Sequence, residues 1–346
     1  MEYPASMHTQ WEAGPKIVAI GGGTGLSTML RGLKRYTKNL TAIVTVSDDG
    51  GGSGMLRRDI GMLPPGDIRN CMESLANTEG IMQSLLSYRF SSGVLRGQSF
   101  GNLLLAALNG VTGSFEEAVS QMGQVLAISG RVIPVTTADV RLAATFENGA
   151  YVVGESNIFG FKKKQDCRIR CVELLPEHPK ALPAALTAIA EADIILLGPG
   201  SLYTSIIPNL LVEGIAEAIA DSTAQKIYVC NIMTQDGETE GYTAADHVEA
   251  LFSHGLLGIV DICLANSAPV PAELVPRYRE EGAERLLVDK ERIAGMGIEV
   301  VERPVAAGEG NFARHDPDKL AGEIISLYNK RIVKIYDGEY VRRVKD

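Results

Sequence analysis

The chain has 346 residues, 45% of them hydrophobic and 22% charged, an ordinary globular balance that permits one large α/β domain or two smaller ones. A net charge of −9 with no long basic run argues against nucleic acid as a partner, and no apolar stretch reaches the roughly 18 residues that a membrane-spanning helix needs. Five irregularly spaced cysteines suit a reducing compartment, so a cytoplasmic location is expected. Cys167 and Cys171 have no second pair to complete a metal site. The opening residues 1–15 lack a basic region and an apolar core, and so read as a disordered leader rather than a signal peptide.

Residues 16–330 are expected to form a single nucleotide-binding domain, with 331–346 a terminal tail. Lys16–Ile20 and Thr41–Val46 read as strands around a helix near Leu26–Tyr36, one βαβ unit. Asp67–Ala76 and Ile81–Phe90 read as helices, and Asn102 stands near the start of another that runs to Leu108. Phe115–Leu126 is amphipathic, with Ser114 and Glu117 spaced as a capping box. Arg131–Val135 is a strand.

Val140–Phe146 and Ala150–Glu155 flank an Asn148-Gly149 turn, the signature of a hairpin, so about 140–176 is expected to be an antiparallel excursion. Lys162–Lys164 reads as a solvated charge run. Lys180–Ala190 is helical, and Asp193–Leu197 resumes the strand pattern. Lys226–Asn231 and Ile259–Ala265 are further strands with a helix, Thr243–Ser253, between them. Ile298–Arg303 and Pro317–Tyr328 supply a last strand and helix. The fold class implied is α/β, a Rossmann-like three-layer αβα arrangement with a mostly parallel sheet and an antiparallel hairpin excursion.

Three glycine-rich segments follow or lie close behind predicted strands. In GGGTGLST, a helix start after a strand offers the main-chain amides of Gly22, Gly23, Thr24, Gly25, Leu26 and Ser27 to an anion, with the Ser27 and Thr28 hydroxyls extending the cradle. The segment is not a P-loop, because no Gly-Lys-Ser/Thr is present. In SDDGGGSG, Asp48 occupies the place where a Rossmann-like unit binds ribose hydroxyls, and Asp49 is a candidate Mg²⁺ ligand.

In PPGDIRNC, Asp67 either complements a helix dipole or, with Asn70, joins the polar wall of the cleft, leaving Arg69 for phosphate. Asn102 reads equally as a cap and as a base- or sugar-binding group. Gly198, Gly200 and Ser201 form a third strand-end loop suited to a second phosphate. These turns are expected to converge on one cleft beyond the carboxyl ends of the strands. No nucleophilic triad can be assembled from the five scattered histidines. A homodimer is the default assembly.

GGGTG, SDDGGGSG, PPGDIRN, GNLLLAAL, GPGSLYTSIIPNLLV and CNIMTQDGETEGYTAADH occur in order. With them the chain resembles the bacterial gluconeogenesis factor family (YvcK-like), within the 2-phospho-L-lactate transferase (CofD-like) superfamily. The resemblance implies a cytoplasmic regulator that binds a nucleotide-sugar such as UDP-N-acetylglucosamine. It also implies a role in cell shape and wall synthesis on gluconeogenic carbon, acting on regulators of wall synthesis. It adds Tyr278 and Arg314 as sugar-nucleotide contacts. NAD is a further ligand the cleft would accept. The superfamily's alternative is Mg²⁺-dependent phospho-ester transfer, with Asp49 and Asp67 as its catalytic carboxylates.

Overall fold

The structure, a computed structural model, describes residues 14–77, 80–165, 167–309 and 312–336. Nearly all of the expected leader, and residues 337–346 of the expected tail, lie outside them. Strands β1 (Ile17–Gly21), β2 (Leu40–Val44) and β3 (Arg131–Pro134) come first. An antiparallel group follows: β4 (Arg141–Phe146), β5 (Tyr151–Val153) and β6 (Ile169–Leu175). Next come β7 (Ile194–Leu197), β8 (Gln225–Val229), β9 (Ile262–Asn266) and β10 (Glu299–Arg303), then a hairpin of β11 (Ala306–Glu309) and β12 (Phe312–His315).

The main sheet has seven strands in the order β10-β9-β8-β7-β1-β2-β3, and every pairing in it is parallel. Strands β1, β2, β7, β8 and β9 are buried along their whole length, which is why they read as short continuous apolar runs instead of alternating ones. The chain moves outward from β1 through β2 to β3, then returns to β7 on the other side of β1 and moves outward again. Ile17 thus pairs with Leu40 on one side and Ile194 on the other. The order reverses between β1 and β7, and in such a sheet the crevice for a ligand opens at that point.

The excursion is present as a three-stranded sheet, β5-β4-β6, turned by Gly149 at φ +83° with Asn148 Oδ1 accepting from the Ala150 amide at 3.0 Å. Its second arm is shorter than expected. Glu155 opens a helix, Glu155–Gln165, whose buried positions include only Ile158 and Lys162. So narrow a buried stripe gives little helical signal. Lys162 is not part of a solvated run: it is buried and pairs with Glu240 at 2.9 Å.

A second helix without an apolar signature, Gly51–Ile60, grows directly from the SDDGGGSG segment. The helix expected over Ile81–Phe90 stops at Ser87, and the one expected over Pro317–Tyr328 runs on to Tyr336. Ser114 does cap its helix, accepting from the Glu117 amide at 3.4 Å, but Glu117 itself accepts from Gln121 at 2.7 Å. A reciprocal box is formed instead by Thr243 and Asp246.

Candidate functional site

The turns after β1 and β7 are in contact. A Cβ on Gly25 would lie 2.7 Å from the Pro199 carbonyl oxygen, and one on Gly200 would lie 3.1 Å from that of Gly22. At Gly25 a side chain would force the backbone apart, and at Gly200 it would be a tight fit. Between the turns lies a cavity of about 320 Å³. Gly23, Thr24 and Gly25 form one wall of it, Gly200, Ser201 and Asn231 another, and Tyr278, Arg314 and His315 close the far side.

Fewer main-chain amides face this cavity than the sequence suggested. Gly23 donates to Asp67, whose carboxylate is packed so tightly that a Cβ on Gly22 would sit 2.4 Å from Oδ2. Gly200 donates to Asn231 Oδ1 at 3.1 Å, and Asn231 donates back to the Gly200 carbonyl at 2.8 Å. The amides of Tyr203 and Thr204 both go to Glu238 Oε1, at 2.6 and 3.0 Å.

Thr24 and Gly25 open the first turn of the Gly23–Leu33 helix, where no earlier helical carbonyl stands to accept their N–H groups. Those two residues line the cavity. The Ser27 and Thr28 hydroxyls do not extend the expected anion cradle, because both donate back to the Thr24 carbonyl, at 3.0 and 2.8 Å. Leu26 is buried in the core, and a Cβ on Gly198 (φ +78°) would strike Ile206, so both residues serve the turn's shape.

The other side of the site is acidic. Asp48 Oδ1 accepts from the Gly50 amide at 2.8 Å, and Asp49 Oδ1 from that of Ser156 at 2.9 Å, which fixes the start of the Glu155–Gln165 helix. Burial, with Asp48 nearby, pushes the Asp67 carboxyl up to about 6, and burial raises Asp48 as well. Glu238 is lifted to about 7, and Glu155 well above the usual range, again chiefly by burial.

Asp48, Glu155 and Glu238 line a second cavity, of about 300 Å³, that shares Ser201 and Gln235 with the first. Asp49 faces a third, of about 330 Å³, beside Arg57 and Arg58, where Arg57 is engaged by Asp139 and the Val140 carbonyl. Among the described residues no group of three or more His, Cys, Asp or Glu is arranged to hold a metal ion. A Mg²⁺ ion shared with a ligand's phosphates needs only one or two protein carboxylates, and Asp49, the expected ligand, already accepts from the Ser156 amide through Oδ1.

The structure brings Gly23, Thr24, Gly25, Gly200, Ser201, Tyr278 and Arg314 to one cavity. Tyr278 is held by the Ala313 amide, which donates to its hydroxyl at 2.8 Å. Asn70 stands behind them, hydrogen-bonded to Asp67. Arg69 is not available for phosphate: it is buried and donates to Asn102 Oδ1 at 3.1 Å and to Glu73 at 2.7 Å. The same contact explains buried Asn102, and the cap of that helix is Ser99.

Sequence reading missed Glu155, Phe159, Gln235 and Glu238. Glu155 and Phe159 sit on a helix within the stretch expected to be an antiparallel excursion, and Gln235 and Glu238 on a polar loop with no periodicity. His315 closes the first cavity as a neutral ring. Burial lowers its pKa to about 4, and it bonds the Cys230 carbonyl while Nε2 has no partner.

Residues 17–306 match the family model described as 2-phospho-L-lactate transferase CofD. A relative from Thermoanaerobacterium thermosulfurigenes is 57% identical over 314 residues, covering 91% of this chain and 97% of that protein. The gluconeogenesis factor of Bacillus subtilis is 46% identical, covering 90% of this chain and 98% of its own length.

The chain belongs to the gluconeogenesis factor family of the CofD-like superfamily. A crystal structure of a UPF0052-family protein from Bacillus halodurans is similar, with a TM-score of 0.86 at 43% identity over 90% of this chain and 99% of that one. That likeness agrees with the α/β architecture described above. Among the described residues, no helix of this family member is long and apolar enough to cross a membrane.

Proposed function

We propose that this protein is a cytoplasmic regulator that binds a nucleotide-sugar of the UDP-N-acetylglucosamine kind and links its level to wall synthesis and cell shape during growth on gluconeogenic carbon. One observation carries the binding reading: two glycine turns touch at the reversal point of the sheet, and Thr24 and Gly25 line a cavity edged by Arg314 and Tyr278. A diphosphate suits the amides and the guanidinium, by charge-assisted hydrogen bonding. Tyr278 offers a planar face to a base, and the bare His315 Nε2 an acceptor to a base N–H.

The regulatory part of the reading rests on the family and on the absence of any assembled nucleophile–base pair among the residues lining the cavity. Calorimetric titration with UDP-sugars, NAD and GDP tests it. Saturable binding of a UDP-sugar without turnover supports the reading, and no heat with any of the three rejects it.

A second reading, Mg²⁺-dependent phospho-ester transfer, is favoured by the family match and by the raised, paired carboxyls of Asp48 and Asp67. In that case the ion would neutralise phosphate charge, and these two carboxylates would hold it while the turns position the donor. Release of nucleotide or phosphate from a candidate donor in the presence of Mg²⁺, lost in Asp67→Asn with binding retained, would decide for transfer.

A further inference from the structure

We propose that the acid-lined cavity beside Ser201 is a sugar-reading compartment, which takes the neutral, hydroxyl-rich group carried by the nucleotide diphosphate. The inference rests on the nucleotide reading of the first cavity and adds which part of the ligand goes where. The two cavities meet at Ser201 and Gln235, so one elongated molecule can occupy both.

Charge sorts its two parts. Asp48 and, when ionised, Glu155 and Glu238 repel a phosphate, whereas a carboxyl group in either form exchanges hydrogen bonds with sugar hydroxyls. Glu238 is oriented for that task. Its Oε1 is fixed by the amides of Tyr203 and Thr204, while Oε2 is buried near the Ser201 hydroxyl and makes no well-formed hydrogen bond within the protein. The neighbouring Ser201 hydroxyl donates to Gln235 at 2.8 Å. A buried acceptor left bare is costly, and a ligand hydroxyl would relieve it.

The apolar face of a sugar also has a counterpart. Phe159 lines the cavity with its ring against Gly237, where a Cβ would sit 2.4 Å from the ring atoms. Gly237 (φ +79°) therefore lets one edge of the ring pack against the loop, and the Lys163 ammonium stands 5.9 Å from the ring centroid while pairing with Asp236. A fixed aromatic plane opposite a row of acceptors is the arrangement that a hexose ring, apolar on one face and hydroxylated at its edge, would use.

The test compares UDP with UDP-N-acetylglucosamine by calorimetry, in the full chain and in two variants. Glu238→Gln keeps a carbonyl oxygen for the Tyr203 and Thr204 amides, and Phe159→Ala changes a half-exposed side chain, so both should fold. The parent protein should bind the sugar nucleotide about tenfold or more tighter than UDP, and each variant should cut that ratio to about twofold or less, with UDP affinity held within about twofold. If UDP binds and the ratio is the same in both variants, the compartment is wrong while the nucleotide site stands. If neither ligand binds, both fall. If Mg²⁺ tightens UDP alone and Glu238→Gln abolishes that effect, the cavity belongs to a cation and the inference is overturned.

Discussion

The two sides of the site are made of similar material and treat charge in opposite ways. After β1 and β7, glycines let two turns touch, and Thr24, Gly25 and Arg314 line one cavity, the proposed edge for an anion. A short distance away, the SDDGGGSG turn and the Gln235–Glu238 loop fill the helix starts with the protein's own carboxylates. Asp49 takes the Ser156 amide, and Glu238 takes those of Tyr203 and Thr204. Glycine content alone therefore does not mark an anion site. What matters is whether a nearby carboxylate has already claimed the amides.

The strongest way to break this comparison is to part the two turns. Gly25→Ala places a Cβ 2.7 Å from the Pro199 carbonyl oxygen, where backbone must shift to admit it. We expect a loss of nucleotide affinity of about a hundredfold or more, since displaced amides cannot reach a phosphate. Calorimetry checks this, and retained affinity would mean that the turns do not form the phosphate edge.

Asp67→Asn sharpens the comparison by removing a carboxylate from the boundary between the two sides. Asp67 holds its proton up to about pH 6 in the folded chain but only to about pH 4 when unfolded, so the folded state binds more protons in that window. Stability therefore falls as pH rises from about 4 to 6 and is level above it. The asparagine keeps an oxygen for the Gly23 amide and removes that penalty. It should stabilise the protein by on the order of 1–3 kcal/mol at pH 8 and by almost nothing at pH 4. Urea denaturation at the two pH values reads the difference, and equal effects at both would refute the burial argument.

Tyr278→Phe leaves the Ala313 amide without its acceptor at the mouth of the first cavity. We expect a several-fold weaker nucleotide affinity and a cost of about 1 kcal/mol in stability. Thr243→Ala provides the contrast: it opens the capping box with Asp246, and neither residue lines the described cavities. It should cost about 1 kcal/mol in thermal or urea unfolding and leave affinity unchanged.

The fold was largely legible because its signals are local. Fully buried parallel strands such as Ile194–Leu197 are unbroken apolar runs, and the Asn148-Gly149 turn announces its hairpin. The helices Gly51–Ile60 and Glu155–Gln165 were hidden by glycine-rich or polar composition, since tertiary contacts and Asp49's cap hold them more than their own pattern does. Of the site, the glycine turns were legible as turns, but which amides remain open was not. That depends on Asp67, Asn231 and Glu238, which arrive from separate loops. The partners of Arg69, Asn102 and Ser27 were hidden for the same reason, because a sequence does not show what a polar side chain already satisfies.

The most direct test of the central claim is a crystal of this protein soaked with UDP-N-acetylglucosamine. The account predicts diphosphate oxygens at about 3 Å from the Thr24 and Gly25 amides, with the base toward Tyr278. A diphosphate bound elsewhere at saturating ligand, with those two amides facing only solvent, would contradict it.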